Sequence, residues 1–214
     1  MADTLDRYPL RTALVTIARD FHARGWMAGT AGNLSARAPA AEGDGDSFWI
    51  TASGRPKGRL DEDDLIRVSV AGEVVEQPAG DLRPSAEAAI HGMLYQLFQP
   101  ARVVLHTHTV EACLASRLSD GHDLRLPPLE MIKGFDIWEP EPRVDLPLFD
   151  NLLDIGELAN QIKRRFTLQS PPIPALLIRD HGVTVWGQSF QQAYHHMELM
   201  EFILRYMALR PHTP

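Results

Sequence analysis

The residues with the clearest chemistry are His106 and His108, in the run Val103-Val104-Leu105-His106-Thr107-His108-Thr109. Its β-branched, apolar entry predicts a buried strand. Side chains alternate across a strand, so both imidazoles project from one face and Thr107 from the other. Two imidazoles side by side on a rigid strand make half of a tetrahedral zinc site. A pair of hydrogen-bonded core or surface histidines is the alternative, and their place at the end of an apolar strand favours the metal. The third ligand expected is His181. It lies in the tight turn Asp180-His181-Gly182 between the apolar runs 175–179 and 183–186, where an imidazole faces a cleft rather than a packed interior.

Other residues stand within reach of such a metal. Arg83-Pro84-Ser85-Ala86-Glu87 precedes a helical pattern (Ala89, Ile90, Met93, Leu94, Leu97, Phe98), with Ser85 at the expected N-cap. Glu87 suits the helix dipole, and a helix-then-strand return can also bring it to His106. Glu130 and Lys133, a carboxylate and an amine among apolar neighbours, read either as a surface ion pair or as working groups. Gly29-Thr30-Ala31-Gly32-Asn33-Leu34-Ser35 reads as a turn or as an anion cradle, since glycine lets backbone N–H groups approach a phosphate.

The elements that must position these residues belong to an ordinary globular chain. Its 214 residues suit one domain, taken as 1–214, with 44% apolar and 23% charged residues. A net charge of −7 argues against general nucleic-acid or acidic-membrane affinity. A single cysteine, Cys113, excludes an intrachain disulfide, fits a cytoplasmic address and reads as a small core residue. The acidic N-terminus lacks a signal-peptide core, and no apolar run is long enough to span a membrane.

In chain order, residues 10–21 predict a helix stopped by Gly25, and residues 37–47 a surface loop. Phe48–Thr51 predicts a strand, which runs into a small polar turn at Ala52–Pro56. Asp61–Asp64 reads as a solvated turn or helix start. Residues 66–75 predict a hairpin. Val110, Cys113, Leu114 and Leu118 predict a helix broken by Pro127-Pro128, and a connecting region leads to a helix over 155–166. The hairpin around His181 follows, and then a final helix opened by Ser189 in the form of a capping box with Gln192. His195, His196 and His212 read as surface or packing residues. Together these elements predict an α/β domain with a mostly antiparallel sheet against helices.

Five motifs then occur in order: Gly-Thr-Ala-Gly-Asn-Leu-Ser at 29–35, Ile-Thr-Ala-Ser-Gly at 50–54, Pro-Ser-Ala-Glu at 84–87, His-Thr-His at 106–108 and Asp-His-Gly at 180–182. The set resembles the class II, zinc-dependent aldolase family over residues 10–207. The resemblance implies an α/β/α sandwich, usually a C4 homotetramer with active sites between subunits, and a small phosphorylated ketose as substrate. It implies zinc on His106, His108 and His181, and phosphate contacts at Gly32, Asn33, Ser53, Gly54 and Ser85. Where aldolases often carry Ser-Ser-Glu this chain has Ser85-Ala86-Glu87, one hydroxyl fewer. Glu130–Gly134 and the nearby Trp138-Glu139 resemble a branch that dehydrates its ketose phosphate, with Glu130 at the place of the acid/base and Glu87 as a second carboxylate. Aldol cleavage, epimerisation and a non-catalytic adducin-like role are the other readings. Intact histidines argue against the last.

Overall fold

The computed structural model describes residues 2–39, 46–78 and 80–210. Nine strands form one sheet: β1 Asn33–Arg37, β2 Ser47–Thr51, β3 Leu65–Ser69, β4 Val74–Glu76, β5 Val103–Thr107, β6 Asp123–Arg125, β7 Asp145–Phe149, β8 Ala175–Ile178 and β9 Gly182–Gly187. Their order across it is β4-β3-β2-β1-β5-β9-β8-β7-β6. Among the described strands only β7 and β8 pair in parallel, so the expected antiparallel character holds. Among the described residues five α-helices cover the faces: α1 Leu10–Ala23, α2 Ala88–Leu97, α3 Val110–Ser116, α4 Ile155–Leu168 and α5 Phe190–Leu209.

Strand alternation divides the interior in two. Val103 and Leu105 of β5 join a cluster with Leu14 and Phe21 of α1, Ala112 of α3 and Met200 and Leu204 of α5. Val104 of β5 faces the other way, into a cluster with Leu94 of α2 and Ile162 of α4. The result is the expected α/β/α sandwich. His106 and His108 share the parity of Val104 and face the α2 side. Thr107 and Thr109 face α5.

Several local expectations need correction. Residues 33–35, read as part of a glycine-rich turn, begin strand β1. Ser85 is not the N-cap of α2: that place is taken by Glu87, while Ser85 Oγ accepts from Glu87 N–H at 3.3 Å, closing a turn ahead of the helix. The helix after the histidines ends at Ser116, well before Pro127-Pro128, and β6 intervenes. Its apolar row is not core: Val110, Leu114 and Leu118 are exposed, and Cys113 is half-buried. The connecting region contains β7, whose Pro147 stands opposite Asp123 of the short edge strand β6. Ser189 does cap α5 by accepting from Gln192 N–H at 3.1 Å, but the Gln192 side chain accepts from Gln188 N–H, one residue before the box position. His196 is buried against Trp186 O, and His195 is exposed. His212 and residues 40–45 of the expected loop lie outside the described residues.

Candidate metal centre

Three imidazoles and a carboxylate converge where β5, the β8–β9 turn and the start of α2 meet. Ligand atoms of Glu87, His106, His108 and His181 all lie within 4.8 Å of one another. His108 Nε2 is 2.8 Å from His106 Nε2 and 3.0 Å from His181 Nε2. Glu87 Oε1 is 3.3 Å from His106 Nε2 and 2.9 Å from His181 Nε2.

The outer ring nitrogens fix which inner ones are free. His106 Nδ1 lies 3.0 Å from Val183 O and 2.9 Å from Thr184 Oγ1, and His181 Nδ1 lies 3.1 Å from Asn151 Oδ1. An Nδ1–H donated outward leaves Nε2 as a lone pair aimed inward, the arrangement of metal-binding histidine. Lone pairs this close repel unless a proton or a cation lies between them. Glu87 Oε1, 3.3 and 2.9 Å from the His106 and His181 Nε2 atoms, has a donor only when one of them is protonated, and a cation would satisfy it equally. The donor set of three imidazoles and one carboxylate therefore fits a metal ion such as zinc.

The charges of the cluster are coupled to one another. Burial alone would raise the Glu87 carboxyl, but the charges and hydrogen bonds of His106 and His181 hold it far below the usual range. Burial would lower His106, and Glu87 raises it. His108 is pushed down to about 3 by burial and by its two histidine neighbours, so it stands as a neutral imidazole.

Two glycines set the packing. A Cβ at Gly182 would fall 2.0 Å from Thr107 O and 3.1 Å from His106 Cε1. Only glycine lets the His181 turn sit this close to β5. At Gly32, with φ +74°, a Cβ would meet Met27 Cε at 2.6 Å and His106 O at 2.8 Å.

The three stretches marked for phosphate come together beside this cluster. Ala52 bridges Pro84, placing Ser53 and Gly54 next to Ser85. The Lys57 ammonium donates to Thr30 O at 2.8 Å and Arg55 O at 3.1 Å, tying the turn at Gly54 to the turn before Gly32. Asn33 Nδ2 donates to Ser85 Oγ at 3.2 Å and to Glu87 Oε2. Ser85 Oγ thus accepts twice and keeps its own proton to give. Ser53 N–H is already spent on Arg83 O.

Glu130 does not join the cluster within this chain. It opens a 3-10 turn, 82% exposed, and its carboxylate takes a hydrogen bond from Lys133 Nζ at 2.8 Å. The surface-pair reading describes it here. Sequence reading missed Asn151, Thr184 and Lys57, which bond to the site from distant segments and carry no local signature.

An open groove of about 560 Å³ begins at His108 and His181 and runs past Cys113 to Val110 and Leu114. A larger cavity, about 790 Å³, is lined by Arg125, Pro128, Tyr206 and Met207 and holds none of the cluster.

The fold and this histidine cluster define a class. The chain belongs to the class II aldolase and adducin N-terminal domain family, whose model matches residues 12–208. It is 50% identical to the methylthioribulose-1-phosphate dehydratase of Microcystis aeruginosa, over 92% of this chain and 94% of that protein. It is 39% identical to the enzyme of the same name from Leptospira biflexa, over 88% and 91%. Among solved structures, YgbL of Escherichia coli superposes with a TM-score of 0.78 at 24% identity, over 96% of this chain and 91% of that one.

Proposed function

We propose that this chain is a zinc-dependent hydro-lyase of methionine salvage. It converts 5-methylthioribulose 1-phosphate to 2,3-diketo-5-methylthiopentyl 1-phosphate and water. The observation that carries this is the convergence of three imidazoles and Glu87 in a chain half-identical to a curated dehydratase along nearly its whole length.

Zinc held by His106, His108 and His181 would supply a Lewis acid for the C2 carbonyl and C3 hydroxyl oxygens, easing loss of the C3 proton. The chain's own groups do the rest. The Gly32-Asn33 and Ser53-Gly54 turns and the Ser85 hydroxyl bind the phosphate, with the start of α2 adding its positive end. Glu87, kept ionised by the histidines, orients the reacting end. Glu130 moves protons, from C3 and to the departing C4 hydroxyl. The enol left behind tautomerises to the diketone.

Because Glu130 stands away from the cluster in its own chain, it acts from a neighbouring copy. The outer faces of α3 and α5 support such an assembly, taken as a homotetramer. Val110, Leu114 and Leu118 are exposed there beside Phe202, Tyr206 and Leu209. An apolar row of this extent marks an interaction surface. Val110 and Leu114 also line the groove beside His108 and His181, so a copy covering them borders the site. A cytoplasmic location belongs to the same reading and is supported by the lone cysteine. No helix among the described residues is long and apolar enough to cross a membrane.

Product analysis with methylthioribulose 1-phosphate, beside fuculose 1-phosphate, tests the reaction. Release of water and the diketone is expected. Dihydroxyacetone phosphate from either substrate would make the protein a sugar-phosphate aldolase, a reading that the shared metal site also supports.

A further inference from the structure

The back of the histidine strand is held as deliberately as its front. Thr107 Oγ1 donates to Glu201 Oε1 at 2.6 Å, and Thr109 Oγ1 donates to Glu201 Oε2 at 3.0 Å. One carboxylate on α5 therefore grips the residues on either side of His108. Glu201 is 4% exposed, on a helix face otherwise made of Met197, Met200 and Leu204. It has no ion-pair partner among the described residues, and burial pushes its carboxyl up to about 7. Leucine or methionine would fill this position at less cost, because a buried acid without a cation is unfavourable. Packing does not explain its presence.

Its two partners lead to all three imidazoles. Thr107 lies between His106 and His108, and its carbonyl is the surface against which Gly182 seats the His181 turn. Thr109 also caps α3 by accepting from Ala112 N–H at 3.1 Å. Fixing these two threonines relative to α5 fixes the strand end and the spacing between His181 and the other pair.

We propose that Glu201 is a positioning residue for the metal centre, setting the separation of His106, His108 and His181 through the hydroxyls of Thr107 and Thr109. The inference rests on the metal-centre reading above, and zinc alone is the probe that tests it. Zinc affinity of the full-length protein, measured by competition with a chromogenic chelator, is compared with thermal denaturation of the metal-free form. Glu201→Leu fills the space without an acceptor. It should weaken zinc binding by about 10–100-fold, the range for groups that orient ligands, with a metal-free melting temperature at or above that of the wild type. Glu201→Gln, which keeps one acceptor oxygen, should fall between. Thr107→Val has the same shape without the donor and should also weaken zinc binding, which decides the matter should Glu201→Leu fail to fold. A packing role predicts the reverse, a lower melting temperature with zinc affinity within about twofold of wild type, and that result in folded Thr107→Val or Glu201→Leu overturns the proposal. If the wild type itself binds no zinc, the metal-centre reading falls and this proposal with it.

Discussion

The side-chain amide of Asn33 donates to the carboxylate of Glu87 across 54 positions of sequence, joining β1 to the residue that caps α2. The same nitrogen reaches Ser85 Oγ at 3.2 Å, so one residue spans the proposed phosphate side and the candidate metal side of the site. Asn33→Ala would leave Glu87 Oε2 without its donor. A hydrogen bond to a charged group contributes about 1.5–3 kcal/mol, so kcat/KM should fall on the order of 10–100-fold while zinc is retained. Steady-state kinetics with metal analysis checks this, and unchanged kinetics would remove Asn33 from the site.

His106→Ala should lose both zinc and turnover with the fold preserved. The imidazole sits at a strand end, and the two apolar clusters do not depend on it. Metal analysis and circular dichroism of the purified variant are the measurements. Full zinc occupancy in the variant would show the ligand assignment to be wrong.

The two carboxylates separate by their behaviour. Glu130→Gln keeps shape but cannot exchange a proton, so kcat should drop by roughly 10²–10⁴-fold with zinc and substrate still bound. Glu87→Gln should impair turnover less. If Glu130 acts from a neighbouring copy, mixing inactive Glu130→Gln with inactive His106→Ala subunits restores part of the activity, since some interfaces then carry both intact groups. No recovery after confirmed subunit exchange would place Glu130 elsewhere.

Lys57 gives a pH signature. Burial, offset in part by Asp64 and Glu87, lowers its ammonium from 10.5 to about 8. Between about 8 and 10.5 the unfolded chain holds a proton that the folded one has released, so stability rises with pH across that window. Below about 8 both states are charged and the penalty is constant. The gain is about 3 kcal/mol at most. Chemical denaturation of metal-free wild type and Lys57→Met at pH 7.5 and 10 should show it as a difference between the two proteins. Parallel pH dependence would mean that Lys57 titrates normally.

What could be read from sequence was what is local. His106 and His108 share a face because strand alternation is built into the backbone, and His181 was exposed by its turn. Ser85 was misplaced because the motif resembles an N-cap, while in the fold Asn33 and the histidines hold Glu87 at that position. The spacing of Val110, Leu114 and Leu118 identifies a helix face but not what covers it, and here nothing among the described residues does. Strand β7 was missed because Pro147 interrupts its apolar pattern. Asn151 and Thr184 reach the imidazoles, and Glu201 the threonines beside them, only through tertiary packing, which periodicity does not encode.

Strand β9 is the last strand in chain order, yet it lies in the middle of the sheet, between β5 and β8. The half-sheet β4-β3-β2-β1-β5 and the half-sheet β8-β7-β6 therefore meet only through residues 182–187. That seam also brings His181 to His106 and His108. Two of the three clustered imidazoles thus lie on one side of the seam and the third at its edge, and the cluster is complete only where the sheet is closed.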